Sequence, residues 1–140
     1  MTLEQFRNNI SNYLVHGDWE ESNILVSGVT FDKREEWFDI LEETVKSYSK
    51  EAKFQVLDSS ITSGKLEEIM QDNSDILKFW VAYVDTNNSL DYLECLCAEG
   101  EYNGISLPEY TIILILTPTL SGIDTNVAES CITYDFDLSD

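Results

Sequence analysis

The sequence predicts a single α/β domain, a three-layer sandwich in which a mostly parallel, five-stranded sheet lies between two layers of helices. Two observations predict this class. Segments with helical periodicity alternate with short apolar segments along most of the 140 residues. The runs FWVAYVD (79–85) and TIILILT (111–117) are almost continuously apolar, as in strands buried on both faces of a parallel sheet. Because no linker-like segment interrupts the alternation, residues 1–140 are expected to form one domain.

The first half of the chain carries the signals of two helices and two strands. An N-terminal helix is predicted within residues 1–17, where Thr2 and Gln5 form a capping box before an apolar stripe. The other predicted elements, in order, are a strand at 23–27, a helix from about Glu35 to Tyr48 with Trp37 on its apolar face, and a strand at FQVLDSS (54–60).

The second half continues the alternation. A short helix is predicted over 64–71, with Ser63 as its candidate cap. A longer helix is predicted through LDYLECLCAEG, where Asn88 or Ser89 can cap the start and Gly100 ends it. The remaining elements are the two apolar strands named above and an alternating final strand, TYDFDL (133–138).

The charge of the chain is strongly negative. It has 27 acidic residues against 8 basic ones, a formal net charge of -19, and it has no Lys or Arg from Phe79 onward. Such a field repels nucleic acids and anionic membranes, so neither is an expected partner. It attracts basic protein surfaces, although acidity that serves only solubility is an equally good interpretation.

Cysteine usage and the ends of the chain indicate the compartment. Cys95, Cys97 and Cys131 form no disulfide framework, and no Cys/His cluster completes a metal site, so reduced, packing thiols are expected. The start of the chain has no signal-peptide pattern, and the run IILIL is too short to cross a bilayer. A cytoplasmic protein is therefore predicted, in a host cytoplasm if a phage encodes it.

The stretch NILVSGVTFDKREEW (23–37) has the layout of a phosphate-binding loop: a strand, a glycine turn and a helix start. The functional pattern is G-x-x-x-x-G-K-[ST], whose backbone amides surround phosphates. Counting from Gly28, the second glycine is Lys33, the lysine is Arg34 and the Ser/Thr is Glu35. The layout is present, but the residues that carry the chemistry are replaced.

A resemblance to a known family covers residues 79 to 118 most specifically. The segment EGEYNGISLPEYTIILILTP resembles the core of AAA+ ATPases, particularly the MoxR-type group, in which E-G-x-Y-x-G-x-x-L-P precedes an apolar strand. The matching residues are Gly100, Tyr102, Gly104, Leu107 and Pro108. The resemblance implies a P-loop NTPase or AAA-like layout across nearly the whole chain, here without the family's helical lid domain.

The departures from that family concern its catalytic groups. Asp85 stands at the metal-supporting aspartate, but Thr86 replaces the glutamate that activates water, and Thr117 replaces a sensor asparagine. No arginine follows Arg34, so the family's arginine finger has no counterpart. Val29 to Asp32 fill the loop with side chains, and Asp32 adds negative charge. The resemblance therefore implies a pseudo-ATPase that is not an enzyme and uses no cofactor or metal.

Three hypotheses for function follow. The first is a non-catalytic AAA-like module that binds a protein, either an AAA+ ring subunit or a basic nucleic-acid-binding protein, as an acidic regulator or inhibitor. The second is a nucleic-acid mimic, such as a phage counter-defence or toxin-neutralising protein, that binds a basic protein surface. The third is an atypical nucleotide-binding protein.

Candidate partner-binding residues are aromatic side chains in acidic surroundings. Trp19 and Phe31 flank the first strand in polar loops, and exposed aromatic residues are common interface hot spots. Packing of both aromatic rings against the core is the alternative. The complete candidate set is Trp19, Glu20, Glu21, Phe31, Asp32, Glu99, Glu101 and Tyr102.

Overall fold

A computed structural model describes residues 3–16, 23–72, 74–85, 90, 92–119, 121 and 123–135. The helices are α1 Leu3–His16, α2 Arg34–Tyr48, α3 Ser63–Ile69, α4 Tyr92–Glu94 and α5 Thr125–Glu129. A 3-10 turn, Phe31–Lys33, precedes α2, and a π-helical turn, Cys95–Glu99, continues α4. The strands are β1 Asn23–Ser27, β2 Lys53–Leu57, β3 Lys78–Tyr83, β4 Glu101–Tyr102, β5 Ile105–Ser106, β6 Thr111–Thr117 and β7 Cys131–Asp135.

Five strands form one sheet in the order β2-β3-β6-β1-β7. Every pairing in this sheet is parallel; Ile24 of β1, for example, pairs with Leu114 of β6 on one side and Ile132 of β7 on the other. The predicted fold class, an α/β fold with a mostly parallel five-stranded sheet, is confirmed. Strands β4 and β5 form a separate antiparallel hairpin, which the sequence analysis did not predict.

Helices cover both faces of the sheet. Helices α1 and α2 pack on one face, where the rings of Phe6 and Trp37 lie 4.7 Å apart between their centroids. Helices α3, α4 and α5 pack on the other face through residues such as Leu66, Leu93 and Val127. Strands β3 and β6 are buried along their whole length, as their apolar sequences predicted, because their alternate side chains enter both cores.

Several element boundaries differ from the prediction. Strand β2 ends at Leu57 instead of Ser60, because the Asp58 carboxylate accepts a hydrogen bond from the Ser60 amide (2.9 Å) and forms a turn. Helix α3 begins at Ser63, and its cap is Thr62, whose Oγ1 accepts from the Lys65 amide (3.1 Å).

The C-terminal elements differ as well. The final strand, Cys131–Asp135, begins two residues before the predicted start at 133, and the rest of the predicted strand, 136–138, lies outside the described residues. The short helix α5 before it was not predicted. Gly100 ends the π-helical turn with φ 70°, which confirms its predicted role as a stop. The predicted caps Thr2, Asn88 and Ser89 lie outside the described residues.

A buried lysine joins the loops at the amino end of the sheet. Lys78 is 2% exposed, and its Nζ donates hydrogen bonds to the carbonyl oxygens of Ser74, Ile76 and Glu109 at 2.9, 3.0 and 2.9 Å. Burial lowers the pKa of Lys78. These three bonds compensate for the loss of water around the ammonium group.

Candidate functional site

The carboxyl end of the sheet brings three of the family-matched positions together. Gly28 follows β1, Thr117 ends β6 and Asp85 follows β3, and these three strands are neighbours. The Val29 amide donates to the Thr117 carbonyl (3.0 Å), and the Val84 amide donates to the Leu116 carbonyl (2.9 Å). The strand ends are therefore joined at the edge where α/β sheets commonly bind ligands.

The loop after Gly28 is closed by its own backbone. Gly28 has φ 89°, a conformation that favours glycine. The Lys33 amide donates to the Thr30 carbonyl (3.0 Å), and the Arg34 amide donates to the Phe31 carbonyl, forming the 3-10 turn. With the Val29 amide bonded to β6, three amides of this loop are directed at protein carbonyls.

The side chain of Val29 completes this closure. It is 0% exposed and belongs to the core that α1 and α2 form on the sheet. A phosphate-binding loop needs small residues whose amides point into an open concavity. The buried valine holds this loop down on the sheet instead.

Two of the charged side chains in the loop are held by local contacts. Thr30 Oγ1 donates to Asp32 Oδ1 (2.6 Å), and this bond lowers the pKa of Asp32, so an ionised carboxylate lies at the tip of the loop. The Arg34 guanidinium lies 3.6 Å from the centroid of the Phe31 ring, and its Nη1 donates to the Phe31 carbonyl (2.6 Å). Arg34 is thus folded onto its own loop.

The other charged groups of the motif also give little to an anion. Lys33 Nζ lies 3.8 Å from Glu36 Oε2, an exposed ion pair. Glu35, which the sequence analysis matched to a magnesium-binding Ser/Thr, is exposed and lines a groove beside the loop. Thr117, which it matched to a sensor asparagine, is fully buried, and its hydroxyl donates to the Thr119 carbonyl (3.1 Å).

An apolar groove of about 410 Å³ lies between the loop, α2 and the ends of β2 and β3. Phe31 is 57% exposed and makes an edge-to-face contact with Tyr83, with ring centroids 5.7 Å apart. Val56 of β2 is 49% exposed on the same groove. The complete lining is Phe31, Arg34, Glu35, Phe38, Val56, Leu57, Asp58 and Tyr83.

Tyr83 is the ring at the base of this groove. Burial, followed by the nearby charge of Asp85, raises the pKa of Tyr83. The neutral phenol of Tyr83 is therefore favoured over the phenolate. The groove has the character of an aromatic contact surface with acids at its rim.

The predicted partner-binding residues fall on two separate surfaces. Phe31 and Asp32 lie beside the groove on the α2 side of the sheet, and the alternative in which Phe31 folds into the core is not what the structure shows. Tyr102 packs against the core on the opposite side, with its hydroxyl 2.9 Å from Ser63 Oγ. Glu99 and Glu101 are exposed beside it.

Four predicted residues cannot be placed. Trp19, Glu20 and Glu21 of the partner-binding set, and Thr86 of the acidic motif, lie outside the described residues. Within the described ranges, no group of three or more His, Cys, Asp or Glu residues is arranged to hold a metal ion. In the same ranges, no helix is long and apolar enough to span a membrane.

Sequence reasoning missed the residues of β2 and α2 that complete the groove. Phe54 and Val56 alternate with Lys53 and Gln55 in KFQVL, a pattern that indicates one buried face but not which strand lies at the sheet edge. Phe38 adjoins Trp37, and only Trp37 falls on the fully buried face of α2. The sole sequence signal was Phe31, an aromatic residue in a polar loop.

Comparisons with known proteins bear on the fold. No family model matches the sequence. No curated protein matches it either. Among solved structures, it is similar to the crystal structure of a DNA polymerase III, gamma subunit-related protein from Thermotoga maritima, with a TM-score of 0.60 and 14% sequence identity.

The fold is similar to an AAA-like fold. The match covers 98% of this chain and 46% of that one, so this chain spans less than half the length of the similar protein. At this level of identity, the likeness concerns the arrangement of the sheet and helices alone.

Proposed function

We propose that this protein is a non-catalytic AAA-like module that acts by binding another protein, as an acidic regulator or inhibitor of that partner. One observation carries the proposal, the closed loop after Gly28. Three of its amides bond to backbone carbonyls, and the side chain of Val29 is buried beneath it. A triphosphate needs those amides free, so the loop favours a pseudo-ATPase that uses no nucleotide or metal cofactor.

The charges around the loop support the same proposal. A nucleotide with its magnesium ion brings phosphate oxygens that need nearby cations. Here Arg34 stacks on Phe31, Lys33 faces Glu36, and Asp32 remains ionised beside them. The two cations of the loop are thus engaged by other groups, and an ionised carboxylate lies beside them, which disfavours phosphate.

Protein binding is favoured by what the loop exposes. Phe31 projects next to Val56, and the two are among the most exposed large apolar side chains of the described residues, at 57% and 49%. An exposed aromatic residue with a cation stacked on it is typical of interface hot spots. The proposed partner is an AAA+ ring subunit or a basic nucleic-acid-binding protein.

A nucleic-acid mimic is the second candidate, and a different surface favours it. The layer that includes α4, α5 and the β4–β5 hairpin carries exposed acids, while the sequence has no Lys or Arg beyond Lys78. The exposed acids in this layer are Glu94, Glu99, Glu101, Asp124 and Glu129. A partner with a cationic nucleic-acid site would bind that layer, and the groove would make no contact with it.

Calorimetric titration with magnesium and ATP, ADP or GTP tests the proposal. We expect no saturable heat up to millimolar nucleotide. A dissociation constant in the micromolar range would establish the atypical nucleotide-binding protein in its place. For an isolated partner, Phe31→Ala separates the other two functions: it weakens binding at the groove, whereas a mimic that is bound through the acids of the α4–α5 layer keeps its affinity.

A further inference from the structure

The outer edge of β2 is open for pairing. In the sheet, β2 is bonded to β3 on one side only, and within the described residues no strand pairs with its other side. The Lys53 amide donates to the Leu77 carbonyl (2.9 Å), toward β3. Because backbone groups alternate sides along a strand, the amides and carbonyls of Phe54 and Val56 point outward.

The edge carries little of the protection that natural edge strands usually have. Lys53 is the one charged residue in the strand KFQVL, and no proline or bulge interrupts its five-residue pairing. The Gln55 side-chain amide donates to the Val56 carbonyl (3.1 Å), a local bond that an incoming backbone amide can replace. The edge is therefore competent to accept another strand.

Two depressions flank this edge, one on each face of the sheet. On the α2 side lies the 410 Å³ groove with Phe31 and Val56. On the α3 side lies a second depression of about 320 Å³, in which apolar and charged side chains are mixed. Its lining is Lys53, Phe54, Gln55, Ile69, Asp72, Lys78 and Trp80. A strand added at the edge would direct alternate side chains into one depression and then the other.

Charge selects the kind of strand that fits. Glu35 and Asp58 line the groove together with one cation, Arg34, and the whole chain carries a net charge of -19. Lys53, at the start of β2, is paired with Asp72 at 3.0 Å. A segment with Lys or Arg among its apolar residues would find opposite charge at this rim. A second copy of this chain would bring the same strongly negative field and be repelled.

We propose that the outer edge of β2 receives an extended segment of a basic partner protein as a sixth strand. The backbone groups of Phe54 and Val56 form the ladder, apolar side chains of the segment occupy the two depressions, and its cations meet the acidic rim. This inference rests on the proposed protein-binding function and specifies its surface.

Short peptides test the surface without an identified partner. Three probes, Lys-Lys-Val-Val-Val-Lys-Lys and its analogues with Ser or Glu at the Lys positions, are titrated into the isotopically labelled protein. We expect amide hydrogen exchange of Phe54 and Val56 to slow by about tenfold or more with the Lys peptide at saturation. The expected order of affinity is Lys, then Ser, then Glu.

Matched variants locate the binding. Val56→Lys places a cation on the groove, and Val15→Lys makes the same change at another exposed valine, 61% exposed on α1. Val56→Pro removes an outward amide while leaving the pairing to β3 intact. We expect Val56→Lys and Val56→Pro to weaken the affinity for the Lys peptide at least tenfold. Val15→Lys should change that affinity by less than twofold, and melting curves confirm that each variant is folded.

The outcomes separate this inference from the proposed function. Absence of protection at Phe54 and Val56 with all three peptides, or equal weakening by Val15→Lys, overturns the sixth-strand proposal and leaves the nucleotide result untouched. Micromolar nucleotide binding overturns the proposed function whatever the peptides do. Dimers in light scattering that Val56→Pro abolishes would identify a second copy as the occupant and also overturn the inference.

Discussion

Rebuilding the sequence of a phosphate loop should not create a nucleotide site in this protein. The triple change Lys33→Gly, Arg34→Lys and Glu35→Thr restores G-x-x-x-x-G-K-T from Gly28 onward. The altered residues supply the required side chains but leave Val29 and the backbone bonds of the loop in place. We therefore expect the variant to remain without measurable affinity for magnesium and ATP.

The magnitude follows from the contacts that a phosphate must break. Three backbone bonds, from the amides of Val29, Lys33 and Arg34, contribute about 1 kcal/mol each, and burial of Val29 contributes about 2 kcal/mol. Opening the loop thus costs about 5 kcal/mol, which weakens binding by roughly three to four powers of ten. A site of micromolar intrinsic affinity becomes millimolar or weaker.

Fluorescence anisotropy of a labelled ATP analogue measures this directly, with wild type and the triple variant titrated side by side. Melting curves control for folding of the variant. Saturable binding of the triple variant below about 100 μM would refute the reasoning, because it would show that the loop opens at much smaller cost than its bonds imply.

Three further predictions concern stability and reactivity. Leu114 is fully buried in the centre of the sheet, so Leu114→Ala should lower the free energy of unfolding by about 3 kcal/mol in denaturant melts. The control, Val15→Ala, changes an exposed residue and should be nearly neutral. A 3.0 Å bond to Lys53, then one from Ser74, lowers the pKa of Asp72 to about 2, below its unfolded value. Ionised Asp72 contributes to the free energy of unfolding, and solvent screening limits this contribution to about 1 kcal/mol. The contribution is complete above about pH 4 and is lost as the pH falls toward 2, so stability should depend less on pH in this range in the Asp72→Asn variant. The pKa of Cys97 is raised by its hydrogen bond with Cys131 and by burial, so mass spectrometry should find it alkylated at pH 8 at least tenfold more slowly when folded than in urea.

The fold was predictable where one segment contains its own signal. The run TIILILT is apolar on both faces, and the structure buries every residue of it as a central strand. Gly100 ends a helix as its position indicated. Helix α5 was missed because it is short, and its one buried residue, Val127, makes no periodic pattern.

Features that depend on distant parts of the chain were not predictable. Lys78 was not expected inside a buried strand, because a buried lysine is rare unless partners satisfy it. One of its three partners, the Glu109 carbonyl, lies 31 residues away in sequence. The edge position of β2 is likewise a property of the strand order, which no single segment carries.

Only part of the candidate site could be predicted, because the rest depends on distant parts of the chain. The strand, the glycine turn at Gly28 and the helix start were predicted, and the structure has all three. Polar sequence around Phe31 and Val29, however, gives no sign that the valine enters the core while the phenylalanine projects. Which of two nearby apolar side chains is buried depends on the rest of the fold, so this part of the site could be recognised only in the structure.

The internal position of Lys78 also affects how the molecule behaves in an electrolyte. Among the described residues it is the one charged side chain that is buried, so seven of the eight basic residues are left for contacts with the acids of a chain that has 27 of them. Mobile sodium and potassium ions must supply much of the missing compensation. The protein should therefore be retained strongly on an anion-exchange resin and should melt at a higher temperature in saline than in dilute buffer.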